Sequence, residues 1–551
     1  MNAPPVLAST ILSSLTVWQL FKRYEPTGFI SSALLLLVVP AIIASNAEPL
    51  PLSTSSTATT FLLYWGLLIT YIVLYRLSPF HPLAKYPGPL RCKISKGWMA
   101  YVAARGDMHR YVNQLHARYG DAVRVGPNEL SFRHGDLVDP ILANKELHKS
   151  TYYDLRVRNG VAPLDAIKDY GEHAARRRLW NRGTSATMTK IYTRNLVGVI
   201  DEFIQALSER QGQKLDMSHW LSYATTDFMG HMTFSTSFDM VSKGCDHNGL
   251  VKLVEDTAYA CHIIGHIPWS FHYLSKLPGA TKAIDEGLRI GREVARKRKE
   301  LGSGTRDLYY YLLDEDGLED VKPSEDSALA EGFLAIIAGA ETTATAATNA
   351  LYFLLKHPET MKRLQKEIHD ALSATSDDVD YTKFMELPYL NACINETFRL
   401  LSPGLTGLSR ELDVSGGDKM LGHYFVPAGT KVSAHLYSIQ RDPRYFFPLP
   451  DTFWPDRWLN QASYTLPSGE TLSKEEIKLK REVVLPFSTG QQGCAGRNIA
   501  NLELRSLLVS LLHRFDIRAA DGFRVDEYEE TLSDAYVTIR KPLYIQLREL
   551  Q

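Results

Sequence analysis

Three groups of residues in this chain have the types and spacing to do chemistry. The first is Phe487-Ser-Thr-Gly-Gln-Gln-Gly-Cys494-Ala-Gly496, a glycine-rich loop that delivers a cysteine just before a helical pattern over Asn498–Phe515. Leu504, Leu507, Leu508, Leu511 and Leu512 form the apolar stripe of that helix. A sulfur at a helix N-terminus faces free N–H groups and the positive end of the macrodipole, and both favour thiolate over thiol. Thiolate is the form that ligates a metal. Gly490, Gly493 and Gly496 permit tight turns and close approach of a flat, bulky ligand, and Phe487 is placed to shield the sulfur from water. A lone cysteine in such a loop is more often structural, so its meaning depends on its company.

The second group is Ala338-Gly-Ala-Glu341-Thr342-Thr343, within a helical stretch between Pro323 and Pro358. Gly339 and the threonines are poor helix formers placed mid-helix. A threonine there can bond back to the i−4 carbonyl and bend the helix, a kind of local opening common at functional sites. An acid beside an alcohol suits a proton relay; by itself the segment would be a small-residue packing face. The third group is Glu396-Thr-Phe-Arg399, a carboxylate and a guanidinium on one helix face. Such pairs contribute little on a surface, but the largely apolar helix 387–401 predicts that this one is buried and fixed.

Taken together, these segments resemble the cytochrome P450 family over almost the whole chain beyond its N-terminus. Phe-x-x-Gly-x-x-x-Cys-x-Gly resembles that family's haem-binding loop, and the resemblance implies haem b with Cys494 as axial thiolate ligand and Phe487, Gly490 and Gly496 around the cofactor. One departure is Gln492, where the family usually places a basic residue that contacts a haem propionate. The six residues Ala338–Thr343 resemble the family's segment over the distal haem face, which implies proton delivery by Glu341 and Thr342. Phe453-Trp-Pro-Asp-Arg457-Trp458 resembles the segment whose arginine completes an ion-pair network with Glu396 and Arg399, a scaffold for the haem pocket. Glu172-His-Ala-Ala-Arg-Arg-Arg-Leu-Trp180 falls where the family has propionate donors, which implies that role for His173 and Arg177, with Arg410 as a further candidate. Arg176 and Arg178 are then expected to help dock an acidic electron donor.

Around these groups, helical patterns run through 190–210, 284–300, 324–356, 358–373 and 387–401, with strand-like runs near 121–133, 411–434 and 524–548. The expected fold is mainly α with small peripheral β-sheets, a cytochrome P450-like haem domain behind an N-terminal transmembrane anchor. Pro4–Phe21, Phe29–Ala44 and Phe61–Tyr75 are apolar stretches, each near the short end of the ~20 residues that cross a bilayer. The third is the strongest, and one to three crossings are expected within an anchor at 1–80. Tyr86-Pro-Gly-Pro89 is a hinge, and 81–551 is one catalytic domain without a linker. Lys22, Arg23, Arg76, Lys85 and Arg91 place that domain in the cytosol by the positive-inside rule, on the endoplasmic reticulum membrane.

A net charge of −1 gives no reason to expect nucleic acid as a partner. Five cysteines with no paired spacing argue against a disulfide framework. The residues after Cys494 are too few for a flavin domain, so electrons are expected from NADPH through a separate cytochrome P450 reductase. The expected reaction inserts one oxygen atom into an apolar small molecule, a terpenoid or other secondary metabolite of the kind handled by the fungal members that the chain resembles. Its pocket is expected from parts of 130–165, 225–275, 330–345, 402–410 and 533–537, with Phe228, Phe234 and Trp269 as aromatic lining. Two alternatives are a reductase-independent thiolate-haem isomerase or dehydratase, and a non-catalytic haem-binding membrane protein. Glu341 and Thr342 argue against both, since neither needs a proton relay.

Overall fold

The computed structural model describes residues 3–46, 54–302, 304–373, 381–406 and 408–550. The helix Glu325–Lys356 organises the domain. Ser324 caps its start by accepting from Ser327 N at 3.2 Å, Glu325 and Asp326 complement the dipole in the first turn, and Pro358 follows its end. It packs against Met217–Phe234, Pro388–Leu401 and Arg497–Arg514. Their apolar faces merge into one large core with Phe203, Phe228, Phe234, Leu351 and Leu507 inside it. The helix is unbroken through Glu341–Thr343, so the opening expected from Gly339 and the threonines does not take the form of a break.

The sheets are small and peripheral. The largest runs in the order Ala122–Gly126, Glu129–Phe132, Lys431–Ala434, Arg410–Leu412, Leu147–Lys149, with Glu129–Phe132 parallel to Lys431–Ala434. Tyr86-Pro-Gly-Pro89 docks on its edge. Arg124 N donates to Pro87 O at 2.8 Å and Tyr86 Oη to Phe425 O at 2.6 Å. A Cβ on Gly88 would sit 2.3 Å from Arg124 O, so only glycine lets the chain lie this close. A short hairpin, Ser533–Ala535 with Val537–Ile539, is tied down by Asp534 N donating to Gly106 O and Thr538 N to Pro403 O, each at 2.7 Å.

The N-terminal helices are Ala3–Tyr24, Phe29–Ser45 and Thr54–Leu77. Among the described residues, only Thr57–Leu77 is both long and apolar enough to cross a membrane. This narrows the expectation of up to three crossings. The first helix ends on Lys22 and Arg23 and carries Ser and Thr throughout, and the second is too short. The second nevertheless packs on the third. Pro40 cannot donate to the carbonyl of Leu36, and Trp65 Nε1 donates to that oxygen instead, at 3.0 Å. Tyr64 Oη donates to Leu35 O at 2.8 Å beside it, at the π-helical turn Leu34–Val38. Trp269, expected inside a cavity, is exposed together with Leu274 and Leu277, and neighbouring Tyr273 meets Phe29 of the second helix. Phe228 and Phe234 are plain core.

Candidate functional site

Cys494 lies at the mouth of the helix Arg497–Arg514, with Gly496 as its N-cap residue. Cys494 N donates to Phe487 O at 2.8 Å, closing the loop. Phe487 meets Phe398 edge-on at 5.9 Å, tying the loop to the helix that carries Glu396 and Arg399. Burial is the largest influence on the Cys494 thiol and raises it; N–H groups of Gly496 and Arg497 and the guanidiniums of Arg177 and Arg497 pull the other way without prevailing. The donors expected of a helix N-terminus are therefore present, but a cation at the sulfur is needed to complete the thiolate. Although burial raises its thiol, Cys494 is accessible to solvent.

The glycines divide. Gly490 has a positive φ of 72° and a Cβ there would come 2.8 Å from Ala143, so the turn and the packing both require glycine. Gly496 has φ −86°, and its hypothetical Cβ meets only Cys494 Sγ, at 3.9 Å. No backbone strain demands glycine there; its effect is to leave the sulfur uncrowded.

Arg177 reaches the loop from the helix Tyr170–Gly183, donating to Gly493 O and, at 3.2 Å, to Cys494 O. His173, one turn earlier, is buried, and burial with Lys149, Arg177 and Arg410 around it pushes its imidazole down to about 4. It is a neutral group among cations. Arg410 is buried, with Nε and Nη2 unpartnered among the described residues, and both amide atoms of Gln492 are also buried and unpartnered. Lys149, which the sequence reading did not single out, donates to Leu164 O at 2.8 Å; burial holds it down to about 8. Buried donors this poor in acceptors fit the carboxylates of a dianionic ligand.

The neighbouring arginines are otherwise engaged. Arg176 donates to Glu331 at 3.1 Å, and the same carboxylate accepts from Trp180 Nε1 at 2.9 Å. Arg178 and Arg182 pair with Glu319, each at 2.7 Å. Arg176 thus ties its helix to the long helix, which leaves it unsuited to greet a partner protein.

Glu341 and Thr342 are adjacent in sequence but about 100° apart around the helix. Thr342 Oγ1 donates to Ala338 O at 2.6 Å, the expected back-bond. Ala338 is exposed and Thr342 half-buried within an otherwise buried stretch, so this face borders open space. Glu341 is buried and paired to Arg540, whose Nη2 also donates to Ser222 Oγ at 2.7 Å; its other oxygen has no partner among the described residues. Arg540 escaped the sequence reading because nothing in Thr538-Ile-Arg-Lys-Pro marks it as a partner for a residue some 200 positions earlier.

Glu396, Arg399 and Arg457 are all fully buried. Arg399 grips Glu396 with two bonds of 2.8 Å, and Arg457 Nε adds a third at 3.0 Å. Trp458 Nε1 at 2.8 Å and Trp454 N at 3.0 Å complete the carboxylate. The expected scaffold is therefore present as geometry.

The Cytochrome P450 family model matches residues 87–547. The chain belongs to the cytochrome P450 family. Cytochrome P450 monooxygenase prhB of Penicillium brasilianum is 31% identical over 83% of this chain and 93% of its own length. Cytochrome P450 67 of Uromyces fabae is 29% identical over 96% of each. Tryprostatin B 6-hydroxylase of Neosartorya fischeri is 28% identical over 83% of this chain and 80% of its own. As a P450 monooxygenase the chain is an oxidoreductase, and its family carries haem b on a cysteine thiolate and uses electrons derived from NADPH. Within this P450, Cys494, the unpartnered donors near Arg410 and the open face at Ala338 and Thr342 fit that group in donor type and in access.

Proposed function

We propose that this chain is a membrane-anchored monooxygenase that inserts one oxygen atom from dioxygen into an apolar small molecule of terpenoid or other secondary-metabolite class. The observation that carries this reading is the solvent-accessible Cys494 at the N-terminus of the helix Arg497–Arg514, its loop gripped by Arg177, beside a cation cluster with unpartnered donors. Cys494 would hold the iron of haem b; His173, Arg177 and Arg410 would hold its propionates, with Lys149 and Gln492 as further donors. Bound haem supplies dioxygen activation, tuned by the electron density of its thiolate. Residues 1–80 form the anchor and 81–551 the catalytic domain, on the cytosolic face of the endoplasmic reticulum. A separate NADPH-dependent cytochrome P450 reductase delivers the electrons. Product formation that requires both NADPH and dioxygen, in membranes containing that reductase, tests the reaction; profiling with terpenoid precursors tests the substrate class. Turnover without NADPH would overturn the assignment.

Glu341 would bring protons from the Arg540 side of the long helix, and Thr342 would hand them on at its open face. Thr342→Ala removes the hydroxyl while leaving the helix intact. The variant is expected to keep its haem spectrum and to release hydrogen peroxide, with product per NADPH consumed falling about tenfold or more. Arg540→Gln leaves the Glu341 carboxylate buried without its cation. A loss of stability of roughly 3 kcal/mol is expected from breaking one side of a buried pair, read by urea titration, together with lower product per NADPH. Unchanged coupling in both variants would remove the relay from this helix.

A further inference from the structure

A cavity of about 60 Å³ is lined by Tyr152, Tyr153, His262, His266, Leu408 and Tyr536 among others. It draws on four of the five segments expected to form the substrate pocket. The Tyr152 hydroxyl lies 2.8 Å from His262 Nδ1. Burial holds that phenol far above its ordinary range, so the hydroxyl keeps its proton and is able to donate it to Nδ1. Burial also pushes the His262 imidazole down to about 4, which leaves the ring neutral. With Nδ1 accepting, the single ring proton sits on Nε2. Nε2 is buried and has no partner among the described residues.

This arrangement is held in place. A Cβ on Gly265 would come 2.6 Å from the Tyr152 ring, so glycine is what lets the phenol lie against the end of the helix Leu250–Gly265. His266, its ring 5.3 Å from that of His262, is also neutral, with its own Nε2 buried and unpartnered. Two of the nearby cations are paired, Lys96 with Glu129 and Arg156 with Asp165 at 2.7 Å, and Lys431 donates to Thr151 Oγ1 at 2.5 Å. The pocket thus offers buried, unpartnered nitrogens on two neutral imidazole rings.

We propose that His262 Nε2–H donates to a carbonyl or ether oxygen of an uncharged, otherwise apolar substrate, and so selects and orients it. Tyr152 is the positioning residue that fixes the His262 tautomer. The inference rests on the haem-thiolate monooxygenase reading, because its test uses the haem as reporter.

The probes are fluoren-9-one and fluorene, which share a flat apolar frame and differ at one carbonyl. Each is titrated into the full-length holoprotein in lipid nanodiscs while the Soret band reports binding. The wild type is expected to bind the ketone roughly tenfold more tightly than the hydrocarbon, because a buried donor left unpaired is costly. His262→Phe should remove that preference while the reduced, carbon-monoxide-bound spectrum stays that of the wild type. His262→Gln, which keeps an N–H donor, should restore part of it; a purely structural role would give no such rescue. No binding of the ketone, equal binding of both probes, or a preference that survives His262→Phe overturns the proposal with the haem reading intact. Absence of a thiolate-type spectrum in the wild type would instead bring down the haem reading itself, and this proposal with it.

Discussion

Replacing Cys494 by Ser is expected to abolish the thiolate-type Soret band of the reduced, carbon-monoxide-bound protein and to reduce monooxygenase turnover to assay background. Serine preserves the size of the side chain, and the bond from the residue 494 N–H to Phe487 O involves only backbone, so the loop should keep its shape. What is lost is a donor that can ionise. Even the thiol is held above its ordinary range by burial, despite the N–H groups of Gly496 and Arg497; a hydroxyl, far less acidic, would stay neutral there. The loss should exceed the ~10–100-fold that follows removal of a residue merely supporting a metal ligand. Cys245 provides the control: it is exposed and remote in sequence from the loop, so Cys245→Ser should leave spectrum and turnover unchanged. A thiolate-type band persisting in Cys494→Ser would move the ligand to another residue.

Local pattern made much of this architecture legible. The periodicities over 324–356, 358–373 and 387–401 became helices Glu325–Lys356, Pro358–Ser373 and Pro388–Leu401, because side chains 3.6 residues apart share a buried face. Burial of the Glu396–Arg399 pair followed from the apolar character of its helix. What failed to show was pairing across long sequence distance. Arg176 sits in a basic run that looks like an outward-facing surface, yet Glu331, more than a hundred residues later, claims it, while Arg178 pairs with Glu319 and keeps 59% of its side chain exposed. Arg540 and Lys149 were invisible for the same reason, since a single cation carries no local pattern. At the sulfur, the local donors were readable in the sequence, whereas the burial that raises its thiol carries no local pattern. At the N-terminus, composition marked three apolar stretches, and among the described residues only Thr57–Leu77 combines the helical length and the hydropathy needed to span a bilayer.

The scaffold beneath the loop invites an equally severe test. Glu396→Ala leaves Arg399 and Arg457 at 0% side-chain exposure, facing each other without the anion between them. Five backbone carbonyls, those of Gln440, Pro450, Thr452, Pro448 and Leu449, would still accept from the two guanidiniums. They supply partial charge only. Burial already pushes Arg457 down to about 10, with Arg399 repelling it and Glu396 opposing that trend. Breaking one side of such a buried pair costs about 3–5 kcal/mol, a large share of the ~5–15 kcal/mol that holds a typical domain folded. Trp454 N and Trp458 Nε1 would lose their acceptor as well. The variant is therefore expected to be recovered largely without haem and to unfold at markedly lower urea concentration than the wild type. The dependence on pH has a definite sign. Burial raises the Glu396 carboxyl, but Arg399 and Arg457 more than reverse this and leave it below the ordinary range. A carboxyl depressed in the folded state contributes stability that is complete above the unfolded value of about 4.3 and is lost as pH falls through the folded value. Glu396→Gln, in which that site no longer titrates, should therefore show a smaller difference from the wild type in acid than at neutral pH. Equal differences at both would mean that the carboxylate's charge contributes nothing, and that the site works through hydrogen-bond geometry alone.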